Sequence, residues 1–570
     1  MAVNALQFAL TTIATLAAAS LALRGYRQSL HPLYANVPTE LYLPHIVYGS
    51  LALSLFAPRY SKRGAVLALG VVLCVLPHLL YRTAVYSSRW HDPVKGPFAT
   101  HALCVPPLMY LFSAIMVRSS SGLHRRSLTL LFLGSVALTS WALIPPSVAS
   151  TGPKRRAPDE IEPRTLLHRT IGLLLIASAI PRLAWEYKPT LRTPLEEPYL
   201  YPAHDPVVRI LSSTHSVTGQ IVVGEAMRPS DAKLQELGPN YLHSLRYLRA
   251  DHSILGGVWI GERVATLGDQ SAIVRDEDLI PLGDSIYSTF VLQEAARLVN
   301  STEIGQAGAW KNALVIGLGI GVSASAFQRH GIATTVVEID PAVYEAARDY
   351  FGLVDPGSGN VFLEDARSWV SRTKSKSELE DALGAPRGES FDIIVHDCFS
   401  GGGVPAHIFT IEFWEDLKAI MNPEGVLAVN FAGVIDSNPA RAVLITLEQA
   451  FGHCRIFHDR QEELTPQQMK EEFLNMVLFC TLSSNLSFRE AVHSDFLNSY
   501  LRQHILTFFT KHEIDPSLIR DSAVGPIGEE ETHWVLTDNN NPLGKWQDEE
   551  GINHWRVMRD VLPDIFWEVY

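Results

Sequence analysis

The sequence predicts an α/β protein whose carboxyl-terminal half is built on a parallel sheet, preceded by a helical, apolar amino-terminal region. Three observations carry this. First, residues 313–341, ALVIGLGIGVSASAFQRHGIATTVVEIDP, read as a buried strand (313–316), a glycine turn, a helix (322–329) and a second strand (334–337). Second, Glu338, Asp365 and Asp397 each stand just past an apolar strand-like run, at 334–337, 361–363 and 391–395. In open α/β sheets ligands bind outside the carboxyl ends of the strands. Third, six apolar stretches lie between residues 4 and 185.

The turn separates two cofactor classes. A dinucleotide turn places glycines at the first, third and sixth positions. Here Val322 occupies the sixth, and the glycines are Gly317, Gly319 and Gly321. This Gly-x-Gly-x-Gly spacing is the variant that binds S-adenosylmethionine. The Glu338 carboxylate can accept hydrogen bonds from both ribose hydroxyls. Asp365, with Ala366 beside it, is placed to accept from the adenine amino group. Asp397 is expected beside the transferable carbon.

Composition narrows the function classes. Residues 1–206 carry 19 basic and 9 acidic side chains, and the remainder 28 basic and 51 acidic. An acidic catalytic part argues against a nucleic-acid partner, whose phosphates need Lys and Arg. It suits a small, cationic acceptor or a soluble, self-repelling surface. The five cysteines form no CxxC and no ligand-spaced Cys/His pair, which argues against disulfide frameworks and metal sites.

In chain order, the apolar stretches are 4–23, 41–57, 64–81, 99–117, 127–149 and 166–185, the last interrupted by Pro181 and Arg182. Several approach the roughly 20 residues that cross a bilayer. They predict a multi-pass membrane region of five or six spans over residues 1–185. Basic residues in alternate loops place the catalytic part in the cytosol. Five prolines make 186–206 a stiff linker. Strand signals at 207–211, 219–223 and 257–260 predict a small β-rich lid domain over 207–300. The cofactor-binding domain follows at 301–482, and a helical, Trp-containing extension at 483–570. Asp284 is read as the cap of a helix that begins beside it.

The segment 207–482 resembles the spermidine synthase family, a branch of the class I methyltransferase (Rossmann-like) fold. The resemblance rests on GLGIG, VEID at 337–340, EDA at 364–366 and FDIIVHD at 391–397. Residues 397–430, DCFSGGGVPAHIFTIEFWEDLKAIMNPEGVLAVN, and LTDNNNPL at 536–543 also resemble membrane-anchored variants of that family. The resemblance implies that Gln220 touches the nucleoside, that Tyr287 contacts the acceptor amine, and that Asp397 is the catalytic base. A homodimer is a further family expectation.

Two departures bear on the reaction. The family carries an Asp inside the glycine turn, where this chain has Ile320. Its Asp-Ser-Ser-Asp loop is here Asp397-Cys-Phe-Ser400 followed by Gly401-Gly402-Gly403, so the second carboxylate is missing. Both lost acids bind cations in aminopropyl transfer from decarboxylated S-adenosylmethionine. Methyl transfer from S-adenosylmethionine to an amine or other small acceptor asks mainly for in-line positioning. Methyl transfer therefore ranks first, aminopropyl transfer second, and a membrane-tethered nucleoside binder without catalysis third.

Overall fold

A computed structural model describes residues 15, 17–54, 62–117, 193–201, 207–238, 241–268, 273–276, 278–300, 310–382, 390–399, 401–483, 486–520 and 531–570. The chain divides into two compact units. One comprises Met1–Arg192 with Arg559–Tyr570, and the other Thr193–Met558.

The first unit contains helices α1 (Leu43–Ser54), α2 (Lys62–Ser88) and α3 (Lys95–Val117). Among the described residues, two segments are long and apolar enough to cross a membrane: Gly64–Ser88 and Lys95–Ile115. The 12 described residues of α1 fall short of the roughly 20 that cross a bilayer. The stretches 127–149 and 166–185 lie outside the described residues, as does most of 4–23. The described residues therefore show two such helices, not the five or six spans expected.

Several polar side chains of this unit pair in its interior. The Tyr34 hydroxyl lies 2.7 Å from Ser87 Oγ, which lies 2.9 Å from Thr100 Oγ1. The Tyr26 hydroxyl meets His101 Nδ1 at 2.7 Å. Leu67, Val71, Val75 and Leu79 recur every fourth residue along one face of α2 and are all exposed, Val71 by 60%. The carboxyl-terminal segment closes the unit. Arg89 grips Glu568 through two bonds of 2.6 and 2.7 Å, Arg559 donates to Asp564 and to the Leu33 carbonyl, and Trp567 is fully buried.

The second unit holds two sheets. Seven antiparallel strands form the smaller, in the order β1 (Tyr199–Tyr201), β2 (Val208–Ser216), β3 (Gly219–Ala226), β4 (Leu245–Ala250), β5 (Ser253–Ile260), β7 (Pro281–Ser285), β6 (Val274–Arg275). The larger has the order β10 (Val361–Phe362), β9 (Ala333–Val337), β8 (Asn312–Ile316), β11 (Phe391–His396), β12 (Met421–Val434), β14 (Phe473–Thr481), β13 (His453–His458), β15 (Glu513–Ile514). β10 to β12 pair in parallel and the remaining strands antiparallel. Alternate residues of β8 enter different cores: Leu314 and Ile316 join one apolar cluster, Ala313 and Val315 the other. Burial on both faces explains why this strand reads as an unbroken apolar run.

Helices α4 (Val322–Arg329) and α5 (Pro341–Phe351) follow β8 and β9. Asp340 caps α5 and also accepts from Thr218 N and Thr218 Oγ1, at 2.9 and 2.6 Å. One carboxylate thus ties the β2–β3 turn of the small sheet to the large one.

Two expectations need correction. Cys454 and Cys480 form a disulfide. They face each other directly across β13 and β14, a pairing set by strand register and invisible in their 26-residue separation. Asp284 caps no adjacent helix: it lies in β7 and accepts from Leu501 N at 3.1 Å. A distant backbone N–H supplies the partner that the local reading assigned to a neighbour.

Candidate active site

The glycine turn joins β8 to α4, and its backbone fits only glycine at two points. Gly317 and Gly319 have φ of +79° and +54°. A Cβ at Gly317 would lie 1.9 Å from the Asp397 carbonyl oxygen, and one at Gly319 2.6 Å from that of Leu255. The turn is therefore pressed against β11's exit on one side and the small sheet on the other, leaving a cavity of about 290 Å³ at the carboxyl ends of β8, β9 and β11.

Gly317, Gly319, Glu338, Asp365, Ala366, Tyr287 and Asp397 all line this cavity. Glu338 follows β9 and is buried, 6% exposed. Its Oε2 accepts from Leu318 N at 2.8 Å and its Oε1 from Asp340 N at 2.9 Å. Burial pushes its pKa up to about 7 against the pull of those N–H groups. Each oxygen keeps a lone pair for a further donor.

Asp397 follows β11. Its Oδ1 accepts from Asn430 Nδ2 at 2.7 Å and its Oδ2 from Gln293 Nε2 at 2.8 Å. Burial raises its pKa, opposed by these two bonds. Asp365 accepts from His407 Nε2 at 2.7 Å and from Ser368 N at 3.0 Å. Burial raises the Asp365 carboxyl, but His407 and Ser368 outweigh it and leave it below the ordinary value. Tyr287 has a buried hydroxyl without a hydrogen-bond partner. Burial, then the nearby Asp459, push its pKa upward.

Two expected residues lie elsewhere. Gln220 is fully buried in β3 and donates from Nε2 to Ser213 Oγ at 2.9 Å. Successive strand residues face opposite sides: Ile221 packs toward Ile320 and α5, so Gln220 points away, and Thr218 lines the cavity in its place. Gly321 is the N-cap of α4 and lines a separate cleft behind the turn. Ile320 is also accounted for. It is 3% exposed and lies so close to Gly256 that a Cβ there would be 2.7 Å from it. The position where the resembling family has an acid is here part of the packing between turn and small sheet.

Residues 299–442 match a sequence model of the spermine/spermidine synthase domain. An N-terminal histidine N-methyltransferase from Emericella nidulans is 32% identical over 570 residues, covering 95% of this chain and 93% of that enzyme. The chain belongs to this methyltransferase family. It is an S-adenosylmethionine-dependent transferase with a spermidine-synthase-like domain. A polyamine aminopropyltransferase from Vibrio vulnificus (strain CMCP6) is 30% identical over 175 residues, covering 30% of this chain and 49% of that enzyme. The solved structure of a probable spermidine synthase from Corynebacterium glutamicum ATCC 13032 is 16% identical, with a TM-score of 0.35, over 56% of this chain and 97% of that one.

The cavity fits that cofactor. Glu338 is a buried acceptor with spare lone pairs, and the turn leaves no room for side chains at Gly317 and Gly319. When bound, S-adenosylmethionine supplies an electrophilic methyl on a sulfonium. The protein's own part is to hold the nucleoside, exclude water and align an acceptor nitrogen.

Several residues of the site escaped the sequence reading: Gln293 and Asn430, which hold Asp397; His407, which holds Asp365; and Asn475 and His554, which line the cavity. Asn430 was the most accessible of these, standing within the apolar run GVLAVNFAGV where only a buried partner explains an amide.

Proposed function

We propose that this chain transfers the methyl group of S-adenosylmethionine to a nitrogen of an amino-terminal histidine, with Asp397 receiving or orienting that nitrogen's proton. The observation that carries the reading is the Asp397 carboxylate, fixed by Asn430 and Gln293 at the wall of the cavity that Gly317 also lines. Burial moves its pKa toward the range useful to a general base at neutral pH. The acceptor class comes from the Emericella nidulans enzyme, similar over nearly its whole length. Glu338 would hold the ribose and Asp365 would face the adenine edge, with Tyr287 on the acceptor side.

The reading extends to location. An exposed apolar stripe outside and hydrogen-bonded hydroxyls inside reverse the pattern of a water-facing bundle, and support a membrane-embedded first unit. The Cys454–Cys480 disulfide favours an oxidising compartment for the catalytic unit over the cytosol that the loop charges suggested.

The test uses purified full-length protein, S-adenosylmethionine and two peptides of one composition, with histidine first or in the interior. Mass spectrometry should find methylation of the first alone. Equal methylation of both, or of neither, rejects the histidine assignment.

A further inference from the structure

The glycine triplet 401–403, which directly follows the loop position where the resembling family has its second carboxylate, has a structural partner far along the chain. A Cβ at Gly402 would lie 2.6 Å from Gly551 Cα and 2.9 Å from His554 Cβ. One at Gly403 would lie 2.0 Å from Gln547 Oε1, which itself accepts from Val404 N at 2.6 Å. Gly551 and His554 belong to helix α6 (Asp548–Val561), and Gln547 immediately precedes it. A glycine inside a helix is destabilising relative to alanine. Gly551 has a reason to be there, since it lets the helix lie directly on Gly402.

The helix delivers His554 to the active-site cavity, together with Val557 and Met558. His554 is 2% exposed. Its ring meets Phe399 edge-on at 5.4 Å and Phe473 at 6.4 Å, and Nδ1 has no hydrogen-bond partner. Burial lowers its pKa to about 4, so it stays a neutral imidazole at physiological pH. A buried polar group left unpaired is costly. The ring that carries it also lines the cavity. The other buried side-chain polar atom without a partner among the described cavity-lining residues is the Tyr287 hydroxyl.

We propose that His554 is an acceptor-binding residue, whose ring exchanges a hydrogen bond with the acceptor beside the loop in which the resembling family carries its second carboxylate. This rests on the histidine-methylating reading and deepens it. Exchanging a carboxylate for a neutral ring removes the charge that would draw a diammonium substrate. It leaves a site suited to an imidazole, which donates from one nitrogen and accepts at the other. The glycine triplet and Gly551 are what make room for the exchange.

The experiment compares full-length wild type with H554F and H554Q. Phenylalanine keeps the ring and its aromatic neighbours but removes both nitrogens, and glutamine restores a polar atom. Thermal melts establish that each is folded. Imidazole alone is the probe, titrated by calorimetry into protein loaded with S-adenosylhomocysteine. Wild type should bind it and H554F should bind about tenfold more weakly, the loss of one neutral hydrogen bond. H554Q should fall between, and affinity for S-adenosylhomocysteine should not change. With the amino-terminal-histidine peptide, KM should rise by a similar factor in H554F. No imidazole binding by wild type, or equal binding by wild type and H554F, overturns the role of His554. Failure of wild type to methylate the peptide overturns the histidine assignment alone, because the imidazole titration still decides on His554.

Discussion

Glu338→Gln separates the electrostatic from the steric contribution of the nucleoside site. Burial raises the carboxyl's pKa from its ordinary 4.5 to about 7. At about 1.4 kcal/mol per tenfold change in proton affinity, that corresponds to about 3 kcal/mol. The folded pKa is raised, so the ligand-free protein has this stability in full below pH 4.5. It is lost as pH rises toward 7, where the folded state must hold a buried anion. Glutamine cannot ionise, so the ligand-free variant should show a flatter melting temperature across pH 5–8. It has one oxygen for two backbone donors, Leu318 N and Asp340 N, and leaves one unsatisfied at about 1–3 kcal/mol. Binding should respond in the opposite sense. Two ribose hydroxyls donating to a charged acceptor are worth about 1.5–3 kcal/mol each. With part of that retained by the amide, the variant should bind S-adenosylhomocysteine about 30- to 1000-fold more weakly at pH 8. Wild-type affinity should climb between pH 6 and 8 as the carboxylate forms, and the variant's should not. Calorimetry at those two pH values decides. Binding within threefold of wild type at pH 8, or a pH profile shared by both proteins, refutes Glu338 as the ribose acceptor.

Three further outcomes are expected. Asp397→Asn keeps the bond from Asn430 or from Gln293 but removes the proton acceptor, so turnover should fall by about 10² to 10⁴ with cofactor affinity nearly unchanged; near-normal turnover would make Asp397 a loop-capping residue. Gly317→Ala puts a methyl within 1.9 Å of the Asp397 carbonyl, so both cofactor binding and melting temperature should drop, and an unchanged melt would show the turn to be slack. Replacing Cys454 and Cys480 by serine opens a loop of 26 residues, a cost of about 3 kcal/mol by chain entropy, to be read from denaturant midpoints with the wild type reduced as control.

The nucleotide-binding half was legible because its signals are local. The expected strand 313–316 is observed as Asn312–Ile316, and the helix 322–329 with the expected bounds. An apolar run buried on both faces, ended by glycines at positive φ, leaves the chain few alternatives. Glu338, Asp365 and Asp397 followed from the same rule about strand ends. What the sequence concealed depends on partners far along the chain. Gln293 and Asn430 reach Asp397 across 104 and 33 residues, and α6 reaches the glycine triplet across about 150. Gln220 failed through strand parity. A match to a motif two residues from a turn does not say which face a side chain takes, and here Ser213 claimed it. The disulfide depended on register, which composition cannot encode.

The return of residues 559–570 to the first unit changes what it means to detach the catalytic unit. Thr193–Met558 is an insertion between two segments of its neighbour, held by two covalent connections. One passes through the proline-rich stretch 186–206, and the other is the uninterrupted helix α6. A protease that cuts once within 186–206 leaves the catalytic unit joined through α6 to a segment anchored by the Arg89–Glu568 pair and the buried Trp567. Release requires a second cut, beyond Met558. A fragment beginning near Pro189 and running to Tyr570 would carry Phe566 and Trp567 without the helices that bury them, and should aggregate where one ending at Met558 does not.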